Sequence, residues 1–147
     1  MSDNIYSIKE ISNSALMISM LSRMELIRCV RATLTSFAEK FGLSRQGICD
    51  AELAVNEALA NIIEHAYENE VTGLIEMSID WDDVDGLIVN IRDFGKKSDP
   101  SCFKSRDLDD LSDSGLGVYL MQNLMDEVSF NTEFDDGTSI TLKKKSR

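Results

Sequence analysis

The hydrophobic repeat of this chain changes period near residue 70, and that change limits the folds open to it. Between Glu25 and Phe41, apolar residues recur every three or four positions, at Leu26, Val30, Leu34, Phe37, Ala38 and Phe41. This spacing predicts an amphipathic helix, with Gly42 as its stop. Ser44 has the side chain of an N-cap and opens a second helix that runs to about Tyr67. From Leu74 the period becomes two. In LIEMSID (74–80), Ile75, Met77 and Ile79 share a face, and in LIVNIRD (87–93) Leu87, Val89 and Ile91 do. With Asp85-Gly86 between them, these segments read as an antiparallel hairpin. EVSFNTEF and TSITLKK, on either side of Asp135-Asp136-Gly137, read as a second one. An apolar run at Ala15–Ser22 suggests one more strand. An irregular polar stretch from about Gly95 to Ser114 precedes a short helix that ends near Met125. Antiparallel hairpins with helices gathered on one face give a two-layer α+β sandwich.

The chain has 147 residues, enough for a single domain with a real core, and 43% of them are apolar. A formal charge of −11 repels nucleic acid and anionic membranes, so neither is expected as a partner. Cys29, Cys49 and Cys102 have no paired spacing, which argues against a zinc site or a disulfide framework. They are expected to be free, buried thiols in a reducing compartment. The polar N-terminus does not resemble a signal peptide, and no apolar run approaches a membrane span. A soluble, cytoplasmic protein is expected.

Four stretches have the residue types for chemistry. On a wheel at 100° per residue, Ile48, Ala51, Val55, Ala58, Leu59, Ile62 and Ala66 of the second helix fall on one side. Glu57, Asn61 and Glu64 fall opposite, with His65 at the boundary. Taken alone, that stripe reads first as a solvated polar face, but Glu57 and Asn61 lie one turn apart and can converge on one object. A neutral oxygen beside a carboxylate suits a hard cation such as Mg²⁺ holding a polyphosphate. Asp93 ends a strand in IRDFG, where a carboxylate can accept a hydrogen bond from a purine amino group. In SGLG, Gly115 and Gly117 flank Leu116 at a helix start, a place suited to an anion. DDGTSITL places Gly137 and Thr138 at the entry to the last strand.

Taken in order, these stretches resemble the boxes of the GHKL ATPase superfamily, the group of gyrase, the heat-shock chaperone and the histidine kinases. NEALANIIEHAYE looks like its N-box, IRDFG like the next box, SGLG like the glycine-rich box and DGTSITL like the last. ELAVNEALANIIEHAY and SGLGVYLMQNLMDEVSF are typical of one branch, the anti-sigma-factor serine-protein kinases. The likeness covers roughly residues 15–143. It implies one ATP-binding kinase domain with a mixed, mostly antiparallel sheet.

The resemblance also implies roles. Asn61 holds Mg²⁺ against the phosphates of ATP, and Glu57 is the general base toward the attacking hydroxyl. That hydroxyl belongs to a serine of a small anti-anti-sigma antagonist. Asp93 binds the adenine amino group, with Gly95 allowing close packing. Gly115, Leu116 and Gly117 lie over the phosphates, and Thr138 supports the adenine. The branch acts as a homodimer that sequesters a sigma factor on a surface around its first helix, where Arg31 matches. Lys97 stands where the family's second box has a glycine, and an aspartate-rich segment precedes Gly115. These departures favour an alternative, an ATP-binding regulatory module with little kinase activity and a different partner.

Overall fold

A computed structural model describes residues 16–97 and 116–146. Strand β1 (Leu16–Leu21) leads through a 3₁₀ turn (Met24–Leu26) into helix α1 (Ile27–Lys40) and helix α2 (Arg45–Asn61). Strands β2 (Leu74–Asp82) and β3 (Gly86–Asp93) follow, then helix α3 (Leu116–Leu124) and strands β4 (Glu127–Asn131) and β5 (Ser139–Lys144). They form one five-stranded sheet of order β1-β2-β3-β5-β4. Every neighbouring pair in it is antiparallel, so the described strands include no parallel pair.

The punctuation residues behave as their chemistry dictates. Gly42 follows α1 at φ +84, a left-handed conformation that costs glycine little. Ser44 accepts a hydrogen bond from the Gly47 amide at 3.0 Å and caps α2. At the first hairpin, Asp82 Oδ1 accepts from the amides of Val84 (2.7 Å) and Asp85 (3.0 Å) before Gly86 turns the chain at φ +77.

The core lies between the helices and one face of the sheet. Ile75, Met77 and Ile79 of β2, Leu87, Val89 and Ile91 of β3, and Ile140 and Leu142 of β5 are all buried. They meet Ile27, Val30, Leu34, Phe37 and Ala38 of α1, and Ala51, Ala54, Val55, Ala58 and Leu59 of α2. The opposite sheet face is polar. Thr141 Oγ1 donates to Asn90 Oδ1 at 2.7 Å, and the Asn90 amide donates to Ser78 Oγ at 3.3 Å. Helices on one face and a hydrogen-bonded polar surface on the other are the expected two-layer arrangement.

Two expectations change. Cys29 and Cys49 are free, but both are exposed, because they lie on the outward sides of α1 and α2; Cys102 lies outside the described residues. The second helix continues past Asn61, but as a π-helical turn, Ile62–Ala66. The wider turn brings Ile63 into the core at 2% exposure and leaves Ala66 only half-buried. A wheel at a fixed 100° puts Ala66 on the core side, where it packs, but does not place Ile63 there.

Lys144 ties three elements together at the far end of the sheet. Its Nζ lies 3.0 Å from Asp50 Oδ2 of α2 and donates to the Leu124 carbonyl at the end of α3 at 2.6 Å. A cation is well placed at a helix C-terminus. Burial alone would raise the Asp50 pKa, but the Lys144 ammonium and the Gln46 amide hold it below its ordinary value of 3.8.

Candidate functional site

Glu57 and Asn61 sit one turn apart on α2, and both are half-buried. What covers them is the start of α3. A β-carbon added at Gly117 would lie 2.7 Å from Asn61 Nδ2 and 2.8 Å from Glu57 Oε1. Gly117 itself is buried. Any larger residue there would press on both side chains, so the backbone of α3 touches this pair only because the position is glycine. Leu116, one residue earlier, leaves 51% of its surface exposed. Gly115 lies outside the described residues. Glu64 and His65 are exposed on the π turn and do not join the pair.

Beyond Asn61, the π turn rearranges the helix end. The Tyr67 amide donates to Ile62 O at 3.1 Å and the Asn69 amide to Ile63 O at 2.9 Å. The Ala66 carbonyl instead accepts the Lys96 amide at 2.8 Å. A β-carbon at Gly95 would come within 2.4 Å of that same carbonyl oxygen. The helix that carries Glu57 and Asn61 is thus bonded directly to the loop after Asp93. Gly95 lets the loop approach this carbonyl closely.

Asp93 is 2% exposed. Its carboxylate accepts from the Gly95 amide at 3.0 Å, and its own amide donates to the Thr138 carbonyl at 3.0 Å. Burial raises its pKa above the ordinary 3.8, opposed by the Gly95 hydrogen bond and the Arg92 charge. Thr138 is buried beside it. Gly137, at φ +69, approaches so closely that a β-carbon would lie 2.0 Å from Asp93 O. The last hairpin is therefore held against the end of β3 by its glycine.

Two residues not singled out in the sequence organise this end. The Arg92 guanidinium lies 4.3 Å from the Phe94 ring centroid and 3.8 Å from that of Phe134. It donates to the carbonyls of Asp136 (3.0 Å) and Asp93. The Tyr67 hydroxyl donates to the Leu74 carbonyl and accepts the Phe94 amide at 2.8 Å. Burial, the largest influence on it, pushes this phenol above its ordinary value of 10.0, so it stays protonated and able to donate. No local motif marks the contacts of Arg92 with Phe134 and Asp136 or of Tyr67 with Phe94, because they join residues distant in sequence.

Arg31 lies elsewhere, exposed on α1, where its guanidinium donates to Asn56 Oδ1 of α2 at 3.2 Å. Lys97 is exposed at the edge of the described residues.

The donor set suits a polyphosphate carried by a metal ion. Among the described residues no group of three His, Cys, Asp or Glu side chains could hold a metal. Asn61 offers a single neutral oxygen, the pattern of a site where Mg²⁺ takes most of its ligands from phosphate and water. At the other end, Asp93 is a buried acceptor of the kind that selects an amino-bearing base.

Comparison with known proteins agrees with this geometry. Residues 20–144 match the histidine kinase-like ATPase domain. The chain is 34% identical over 131 residues to the serine-protein kinase RsbW of Bacillus licheniformis, covering 84% of this chain and 80% of that protein. It is 33% identical over 129 residues to the serine-protein kinase RsbW of Staphylococcus epidermidis, covering 82% and 79%. Among solved structures, the RsbU and RsbW domains of a Mycobacterium tuberculosis protein superpose with a TM-score of 0.64 at 20% identity, over 89% of this chain and 31% of that one. The histidine kinase domain of an Erythrobacter litoralis blue-light activated kinase does so at 0.56 and 14%, over 95% and 67%. These two likenesses are of fold. Domain match and sequence identity together show that the chain belongs to the histidine kinase-like ATPase family, in its branch of RsbW-type serine-protein kinases.

Proposed function

We propose that this protein transfers the γ-phosphoryl group of ATP to a serine of a small anti-anti-sigma antagonist, and that it sequesters a sigma factor when that antagonist is phosphorylated. The observation that carries the reading is the contact of Gly117 with Glu57 and Asn61. It sets a carboxylate and a side-chain amide under a helix N-terminus, with a buried Asp93 joined to them through the Ala66–Lys96 hydrogen bond.

In this reading Asp93 accepts the adenine amino group and fixes the base end of the nucleotide. Asn61 turns its amide oxygen toward a magnesium ion. When bound, that ion neutralises charge on the phosphates and so reduces the repulsion of a triphosphate by a chain of charge −11. Glu57 takes the proton of the attacking serine hydroxyl as the oxygen–phosphorus bond forms and the bond to ADP breaks. Gly115 and Leu116 join Gly117 beside the phosphates, and Thr138 supports the base. Arg31, braced by Asn56, belongs to the partner surface on α1. The chain acts in the cytoplasm as a homodimer. Phosphorylation of the antagonist and capture of sigma are alternative outcomes of competition for the protein.

The test is transfer of label from radioactive Mg-ATP to the antagonist's serine. Glu57→Gln is expected to abolish transfer and keep ATP binding. Transfer by Glu57→Gln at the parental rate removes Glu57 as the base. Nucleotide binding by the parent with no labelled antagonist would favour a regulatory ATP-binding module.

A further inference from the structure

The end of β3 is held by a side chain to which the sequence boxes assign no role. Tyr67 follows the π turn, and its hydroxyl bridges two strands: it donates to Leu74 O at the start of β2 and accepts the Phe94 amide at 2.8 Å. Phe94 lies between Asp93 and Gly95, the two residues of the carboxylate-to-amide hydrogen bond. The same turn is pinned from the helix side by Ala66 O on the Lys96 amide. The Tyr67 ring itself is seated against Gly73, where a β-carbon would lie 2.5 Å from Cδ1 and 2.6 Å from Cε1. The ring thus has a backbone wall behind it and its hydroxyl fixed in front.

We infer that Tyr67 is a positioning residue for base selection: by holding the Phe94 amide it fixes the turn that aims the Asp93 carboxylate at an amino-bearing purine. The inference rests on Asp93 being the base acceptor. Tyr67 does not touch the nucleotide. Its hydroxyl acts through one backbone amide, so losing it frees the turn without removing Asp93, Asn61 or Glu57. Without the hydroxyl the Phe94 amide loses its protein partner, and the turn that carries Asp93 and Gly95 is no longer fixed from this side.

The experiment is calorimetric titration of the full chain with Mg-ATP, Mg-ITP and inorganic tripolyphosphate. Inosine has a 6-oxo group and an N1–H in place of the 6-amino group and bare N1, so the ATP-to-ITP affinity ratio reads recognition of the base edge proposed to face Asp93. The parent is expected to favour ATP by at least about tenfold, since ITP leaves a buried acceptor unpaired. Tyr67→Phe keeps the ring and removes the hydroxyl; the ratio is expected to fall by about tenfold while tripolyphosphate affinity is unchanged. Gly73→Ala, which keeps the hydroxyl but displaces the ring that carries it, is expected to lower the ratio in the same direction. It decides the matter should Tyr67→Phe fail to fold. Parental ratios in the folded variants, or equal weakening of all three ligands, overturn the positioning role. A ratio near one in the parent overturns the Asp93 reading itself, so the two failures are told apart.

Discussion

Replacing Gly117 with alanine separates the two things a glycine can do at a helix start. The added β-carbon would lie 2.7 Å from Asn61 Nδ2, 2.8 Å from Glu57 Oε1 and 3.2 Å from Glu57 Cγ. Ordinary contact begins near 3.4 Å, so each polar tip must retreat by roughly 0.6–0.7 Å. Both are ends of flexible side chains, and the backbone need not move. Overpacking costs about 1–3 kcal/mol where it strains a core, and alanine recovers about 1 kcal/mol of helix propensity over glycine. The net change in stability is therefore expected to stay within about 1–2 kcal/mol. Activity should respond differently, because the displaced atoms are the proposed base and metal ligand. A misplacement approaching 1 Å costs on the order of a hundredfold in rate, or about 2.7 kcal/mol in the barrier. The assay is the initial rate of phosphoryl transfer from Mg-ATP, read beside a thermal melt. A variant with a near-parental melt and a rate lowered about a hundredfold supports the reasoning. A parental rate refutes it, since the pair would then tolerate the very shift the geometry forbids.

Other expectations follow from the same contacts. Lys144→Met leaves the shielded Asp50 carboxylate without its cation and the Leu124 carbonyl without its donor. It should destabilise the fold by about 2–3 kcal/mol, read by urea unfolding. Because the folded Asp50 pKa is lowered, that stabilisation is full above its unfolded value near 3.8 and is lost as pH falls below it. The gap between variant and parent should therefore narrow in acid to the part due to the Leu124 carbonyl, and a gap that does not narrow there contradicts the assignment. Asp93 has the opposite sign. Its folded pKa is raised, so on acidification its carboxylate gains a proton above 3.8, and ATP affinity should begin to fall there. Titrations of Asp93→Asn across the same range should show no such limb.

What the sequence disclosed, it disclosed through local chemistry. Alternation gave the faces of β2 and β3 because a strand places every second residue on one side. The spacing of Val30, Leu34, Phe37 and Ala38 gave the buried stripe of α1, since helical neighbours lie three and four apart. Ser44 and Gly42 were readable because capping depends on one residue and its immediate neighbours. Glu57 and Asn61 were legible as a pair for the same reason. Contacts between distant segments were not legible: Arg92 between Phe94 and Phe134, Tyr67 on Phe94, and Lys144 on Asp50 join residues up to 94 positions apart. The thiols failed for another reason. Cysteine is usually buried, and only the packed orientation of α1 and α2 sets Cys29 and Cys49 facing outward.

The π turn explains how the two ends of the proposed nucleotide site can be held by one rigid body. Had α2 continued as a regular α-helix beyond Asn61, the Ala66 carbonyl would point to the amide of residue 70 and stay within the helix. Widening the turn sends the Tyr67 amide to Ile62 O and leaves Ala66 O for Lys96. π turns of this kind are found often at functional sites, and here the reason is visible. The helix bearing Glu57 and Asn61 ends in a carbonyl that grips the loop bearing Asp93 and Gly95, and Gly95 must lack a side chain for that grip to close. One residue later, Tyr67 holds the same loop through Phe94. Base end and phosphate end are thus joined by three consecutive links of backbone and phenol, with no long loop between them. A shift of α2 against the sheet must move the proposed metal ligand and the base acceptor together, which keeps their spacing matched to one ligand.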